Sequence, residues 1–202
     1  MQRVACYLTV LCLATTTTAF AQELAAIIET CNGCHGDDGV SQWSDVPTIA
    51  GIDEFAHSDA LYVYRDEARP CAESKFRQGD TDRAPTSMCA VTADLSDEVI
   101  DALGAHYAGL PFVAAKQDFD ATLAAAGQKI HERDCGLCHS AGGSDPADEA
   151  SILAGQWTGY MATTFAQYRA GERDQPAPMQ KKLAALSDDD VEALLHYYAS
   201  QQ

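Results

Sequence analysis

Two copies of one five-residue pattern decide most of what this chain can be. Cys135-Gly136-Leu137-Cys138-His139 repeats, 104 residues later, the pattern of Cys31-Asn32-Gly33-Cys34-His35. Cys-x-x-Cys-His is the attachment pattern of c-type haem. Two thiols one helical turn apart each form a thioether to the porphyrin edge, and the adjacent histidine is carried under the iron as proximal ligand. A thioredoxin-like redox pair or a metal knuckle also uses Cys-x-x-Cys, but neither explains a histidine directly after both pairs. The motifs therefore imply two covalently attached haem c groups, held by Cys31, Cys34, Cys135 and Cys138, with His35 and His139 as axial iron ligands.

The start of the chain reads as a targeting segment. Arg3 is followed by the largely apolar stretch Val4 to Leu13, and Ala19-Phe20-Ala21 offers a small-x-small cleavage site before Gln22. That apolar run is too short to span a bilayer. Residues 1–21 are expected to be a signal peptide, leaving an exported, periplasmic protein with no membrane span. Of the eight cysteines, Cys6 and Cys12 fall in this leader and four in the haem motifs. Cys71 and Cys89 remain, and in an oxidising compartment such a pair is expected to form a disulfide, stabilising by about 3 kcal/mol in the chain-entropy model. Two free thiols, or Cys89 competing with its neighbour Met88 for iron, are the alternatives.

Charge narrows the partners. The full chain carries a formal net charge of −17, and residues 22–115 hold 17 acids against 5 bases while residues 116–202 hold 13 against 7. Nucleic acid, whose binding needs a basic footprint, is excluded. A strongly acidic surface fits long-range steering toward a basic redox partner, and equally a surface tuned for solubility.

The rest of the chain is a repeat. Cys31 to Gly51 and Cys135 to Gly155 both span 20 residues, Met88 to Leu95 and Met179 to Leu186 both 7, and Leu95 to Tyr107 and Leu186 to Tyr198 both 12. The offset falls from 104 to 91 between these blocks, so the first half carries 13 extra residues, expected mostly between Gly51 and Gly79. Helical spacing recurs: Leu24, Ile27 and Ile28 before Cys31; Ile100, Leu103 and Tyr107 behind a Ser96 cap; Phe119, Leu123, Ala126 and Ile130 before Cys135; Val191, Leu194, Leu195 and Tyr198 behind a Ser187/Asp190 capping box. Residues 57–78 read as helix in pieces, broken by Pro70. Few segments alternate with period two. The expected fold is all-α, two tandem domains at 22–112 and 113–202 joined at Gly109-Leu110-Pro111-Phe112.

A sixth ligand for each iron must come from elsewhere. Beyond the leader there are three methionines, and Met88 and Met179 occupy equivalent places, each seven residues before a Leu-Ser-Asp helix start. From a loop there, a thioether can swing over the distal face, and His/Met ligation raises the reduction potential. Met161 has no methionine counterpart and reads as core filler. His57, His106, His131 and His196 are the bis-histidine alternatives, and none recurs at an equivalent position. The second nitrogen of each proximal imidazole needs an acceptor; the carbonyl of Pro47 is the candidate in the first half and, by the offset of 104, that of Ser151 in the second. Tyr168-Arg169 and Phe76-Arg77 are candidates for meeting haem propionates.

These motifs resemble the dihaem cytochromes c of the c4 type and, among related proteins, the cytochrome subunit of flavocytochrome c sulfide dehydrogenase. The second half carries the resemblance in Lys116-Gln117-Asp118-Phe119-Asp120, Ile152-Leu153-Ala154-Gly155-Gln156-Trp157-Thr158-Gly159-Tyr160, Pro178-Met179-Gln180-Lys181-Lys182 and the ending Tyr198-Ala199-Ser200-Gln201-Gln202. It implies two class I cytochrome c domains related by pseudo-twofold symmetry, haems near enough to exchange electrons, and no catalysis by the chain alone. It further implies an FAD-containing sulfide dehydrogenase subunit as donor and a downstream cytochrome or oxidase as acceptor. A free-standing carrier to a terminal oxidase is a second possibility. A dihaem enzyme such as a thiosulfate dehydrogenase or peroxidase is a third, and two matched methionines argue against the open iron position it needs. Cys71, Cys89 and the enlarged 52–78 region depart from the pattern.

Overall fold

In the first half, a helix α1 (Gln2–His35) delivers the first motif at its C-terminal end, and α2 (Glu54–Arg65), α3 (Met88–Thr92) and α4 (Asp97–Ala108) come after it. The second half repeats the plan with α5 (Ala121–Ile130), α6 (Thr158–Ala170), α7 (Ala177–Ala185) and α8 (Asp188–Ala199). This computed structural model describes residues 2–202, with side chains from residue 19 onward, so the leader side chains that suggested a signal peptide lie outside the described residues. No β-sheet forms among the described residues; Ser74 and Thr86 make a single isolated antiparallel bridge. Nor is any described helix long and apolar enough to cross a membrane.

Each half closes around its own apolar cluster. Leu61, Val99, Ile100, Leu103 and Tyr107 form the first, with Leu24, Ile27, Ile28 and Cys31 of α1 packed against it. Ile130, Met161, Leu183, Leu186, Ala193, Leu194, Tyr197 and Tyr198 form the second. The expected stripes on α1 and α4 both face the core, half-buried on α1 and buried on α4. On α5 the buried face is instead Ala124, Gly127 and Ile130, while Ala126 points outward. Gly127 decides this, because a Cβ there would run into the Ala193 carbonyl of α8. Without it the two backbones approach closely, and small residues on α5 face them. Phe119 lies outside the helix, which begins after the Asp120 cap, and is 42% exposed. On α8, Ala193, Leu194 and Tyr197 to Ala199 are buried, with Val191 and Leu195 at the edge. The Ser187/Asp190 capping box is present, and Ser96 caps α4 through the Val99 N–H.

The repeat extends to individual hydrogen bonds. Gly51 N–H donates to the Tyr107 carbonyl, and Gly155 N–H to that of Tyr198, each at 2.8 Å. Arg65 pairs with Asp97 at 2.8 Å and Arg169 with Asp188 at 2.6 Å. Arg65 and Arg169 differ by 104 and Asp97 and Asp188 by 91, so these bridges tie the two offset blocks together in both halves. The 104 offset in fact persists to Arg69 and Arg173. All 13 extra residues therefore lie after Arg69, in 70–87, where the second half has only 174–178. Of residues 57–78 only the part up to Arg65 is helical: α2 stops there, and residues 66–78 contain no helix. Cys71 and Cys89 are joined as a disulfide with their Cα atoms 5.8 Å apart.

Gln156 joins the halves. Its amide is buried at 2% exposure and grips Thr48 on both sides, accepting from the Thr48 N–H at 3.0 Å and donating to its carbonyl at 2.9 Å. Beside it, the Trp157 indole donates to the Ser41 carbonyl at 2.9 Å, and the Tyr160 N–H to that of Ser44 at 2.7 Å.

Candidate haem sites

The motif cysteines stand at the edge of each core. Cys31, Cys34 and Cys135 are half-buried and Cys138 is exposed, and all four are unpaired. Burial raises the Cys31 thiol to about 11 and pushes the Cys135 thiol up as well. Both shifts run opposite to the lowered thiol pKa of a thioredoxin-like redox pair. Among the described residues no three His, Cys, Asp or Glu side chains converge on a metal-ion site.

His35 is buried, and its Nδ1 lies 2.9 Å from the Pro47 carbonyl. A carbonyl only accepts, so Nδ1 carries the proton and Nε2 keeps its lone pair for a metal. Burial also holds this imidazole below its ordinary pKa, favouring the neutral form that ligates iron. His139 is depressed by burial and by His131, and a hydrogen bond to the Ser151 backbone is among the influences opposing that shift. Ser151 is the position the repeat assigns.

Met88 packs against the same core as Cys31, and Met179 against the same core as Cys135. Neither sits in a loop, as their polar surroundings suggest. Met88 opens α3 behind a Ser87 cap, and Met179 is the third residue of α7, which starts after Pro176. Met161 is core filler at 3% exposure. The remaining histidines are engaged elsewhere. His57 stacks on Tyr107, His106 meets the same ring edge-on, His131 Nδ1 lies 3.0 Å from the Tyr198 hydroxyl, and His196 Nδ1 accepts from the Asp120 N–H.

A second constellation is only partly anticipated by the sequence. Arg69 is buried at 8% exposure, its guanidinium 4.0 Å from the Tyr64 ring, and its Nε has no hydrogen-bond partner. Arg173 lies over Tyr168 at 4.3 Å. Tyr160 stands between them; burial pushes its phenol up, but Arg69 and Arg173 outweigh this and the net direction is down. Among the described residues neither cation has an ion-pair partner, and one carries an orphaned buried N–H; the two fit an anionic group such as a propionate. The readable signal was Tyr-Arg-x-x-x-Arg, present as Tyr64-Arg65…Arg69 and again as Tyr168-Arg169…Arg173 at the common offset. The partner of Tyr168-Arg169 is thus Tyr64-Arg65, not Phe76-Arg77. Arg77 instead pairs with Asp45 at 2.6 Å.

Residues 122–197 match the family of cytochrome C oxidase, cbb3-type, subunit III. Cytochrome c4 of Pseudomonas aeruginosa is 27% identical over 191 residues, covering 89% of this chain and 86% of that protein. The fold matches the crystal structure of reduced recombinant cytochrome c4 from Pseudomonas stutzeri with a TM-score of 0.71 at 23% identity, over 90% of this chain and 98% of that one. The chain is similar in sequence and in fold to the dihaem cytochromes c4, and its two Cys-x-x-Cys-His motifs fit two covalently attached haem c groups. The thiosulfate dehydrogenase electron acceptor of Stutzerimonas stutzeri is 29% identical over 182 residues, 84% of this chain and 78% of that protein. All-α architecture and two class I cytochrome c domains follow from the same likeness.

Proposed function

We propose that this cytochrome is a periplasmic electron-transfer subunit with two independent His/Met-ligated haems, one in residues 22–112 and one in 113–202. Cys31, Cys34, Cys135 and Cys138 carry the thioethers. His35 with Met88 and His139 with Met179 ligate the irons, Pro47 and Ser151 orient the proximal rings, and Arg69 and Arg173 receive propionates. The haems supply one-electron redox chemistry when attached; the chain holds them, tunes them and excludes water. The observation that carries this reading is the pairing of one motif and one methionine around each of two separate cores.

The donor is a dehydrogenase of reduced inorganic sulfur. The resemblance to flavocytochrome c points to an FAD-containing sulfide dehydrogenase, and the name of the Stutzerimonas relative to a thiosulfate dehydrogenase. Both would deliver electrons one at a time to a haem edge. The second edge is the open one: Leu137 is 95% exposed and Cys138 is exposed beside it, whereas Gly33 lies under the Phe76 ring. From there electrons pass to a downstream cytochrome or oxidase. Purification of the native protein distinguishes the donors. A stoichiometric FAD protein identifies the sulfide enzyme, and rapid reduction by purified thiosulfate dehydrogenase identifies the other. A solitary carrier that neither enzyme reduces would contradict the assignment.

A further inference from the structure

Residues 70–87, longer by 13 than their counterpart 174–178, form a strap across the first site. The disulfide Cys71–Cys89 fastens its start to α3, one residue after Met88. Its two arms are zipped by hydrogen bonds between Ser74 and Thr86 at 2.7 and 2.8 Å. At the turn, the Arg77 and Gln78 N–H groups both donate to the Gly33 carbonyl, at 2.7 and 3.2 Å. Phe76 is buried with its ring against Gly33, where a Cβ would stand 2.8 Å from Cδ1. Arg77 adds its pair with Asp45, and the Gln78 amide donates to Asp37 at 2.7 Å. Beneath lies a cavity of about 520 Å³, walled by Ile27 and Thr30 of α1, by Phe76 and Pro85 of the strap, and by Val91 and Leu95. One covalently closed segment therefore links the last turn of α1, before His35, to the residue beside Met88. The second half has nothing comparable: residues 174–178 contain no cysteine, and Leu137 takes the place of Gly33 in the open.

We propose that residues 70–87, locked by Cys71–Cys89, are a positioning element that holds Met88 on the distal side of the first haem. The proposal rests on the assignment of Met88 as an axial ligand. α3 is five residues long, too short to be stable by itself, so its first residue is held only as well as its ends are anchored. Ser87 caps it through the Ala90 N–H at 3.2 Å, and the disulfide pins its second residue. Opening the disulfide enlarges the loop ensemble available to Met88 and shifts the balance away from the iron-bound thioether. Met179, set within the longer α7, has no such dependence.

The test uses the dihaem holoprotein and treats the second haem as internal control. Met88→Ala defines the first haem's share of the far-red methionine-to-iron band. In the double variant Cys71→Ala/Cys89→Ala, that share should weaken and vanish at lower temperature and lower alkaline pH than in the wild type. The first haem's potential should fall, and the second haem's band and potential should stay unchanged. Phe76→Ala, which loosens the opposite anchor and keeps the disulfide, should act in the same direction. Unchanged first-haem band and potential in both variants, with Met88→Ala still removing one share, would overturn the strap's role and leave the ligand assignment standing. A band untouched by Met88→Ala would overturn the ligand assignment and the strap's role with it.

Discussion

His57 shows how a buried residue outside the haem-ligand set can carry a pH dependence. It is buried at 6% exposure on α2, stacked on Tyr107, with neither ring nitrogen hydrogen-bonded. Burial first, then the charges of His35 and His106, lower its pKa to about 4. The unfolded chain takes up this proton as pH falls through about 6.5, while the folded chain refuses it until about 4. Stability from this group is therefore present above pH 6.5 and falls by about 3 kcal/mol between there and pH 4. The repeat places Met161 at the equivalent position of α6. His57→Met should abolish that part of the acid sensitivity, measured as the pH dependence of the stability difference between variant and wild type. The two Cys-x-x-Cys-His motifs are legible because thioether attachment fixes their spacing, and Met88 and Met179 stand out only by their matched places before a Leu-Ser-Asp helix start. The engagement of His57, His131 and His196 was not, because a stacking or hydrogen-bond partner on another helix leaves no trace in local sequence.

At the scale of elements, the halves solve the same helix ending differently. α6 stops at Gly171, which is left-handed with φ 73° and costs nothing there. The equivalent residue after α2 is Glu67, held at φ 53°, where a side chain costs about 1–2 kcal/mol. Glu67→Gly should therefore stabilise the protein by about 1 kcal/mol, less the extra freedom it gives the unfolded chain, readable in denaturant unfolding. Counting recovered α4, α8 and their caps, because serine caps and apolar spacing are local signals. It bounded the extra residues only loosely, since the offset between conspicuous landmarks does not say where between them the insertion falls. Arg69 and Arg173 would have located it. It also put Met88 and Met179 in loops, because polar flanks hid helix starts supported by the Ser87 cap, by Pro178 in the first turn of α7 and by tertiary anchoring rather than by periodicity.

For the whole molecule, the contact between the halves is the part least visible in sequence. Gln156 and Thr48 are not equivalent residues of the repeat, and their pairing breaks its symmetry. Gln156→Ala leaves a buried N–H and carbonyl of Thr48 unpaired, each worth about 1–3 kcal/mol. It should destabilise by about 2–4 kcal/mol and slow electron exchange between the haems, with each haem's ligand spectrum unchanged. The acidic surface, more negative in the first half, predicts that reduction by a basic donor slows as ionic strength rises. The central claim is that two haem units sit side by side, each with its own methionine. Potentiometric titration of Met179→Ala, with the far-red band recorded at each step, tests it most directly. One potential should fall and one share of the band should disappear while the other haem stays unchanged. Equal shifts in both haems, or no shift in either, would contradict it.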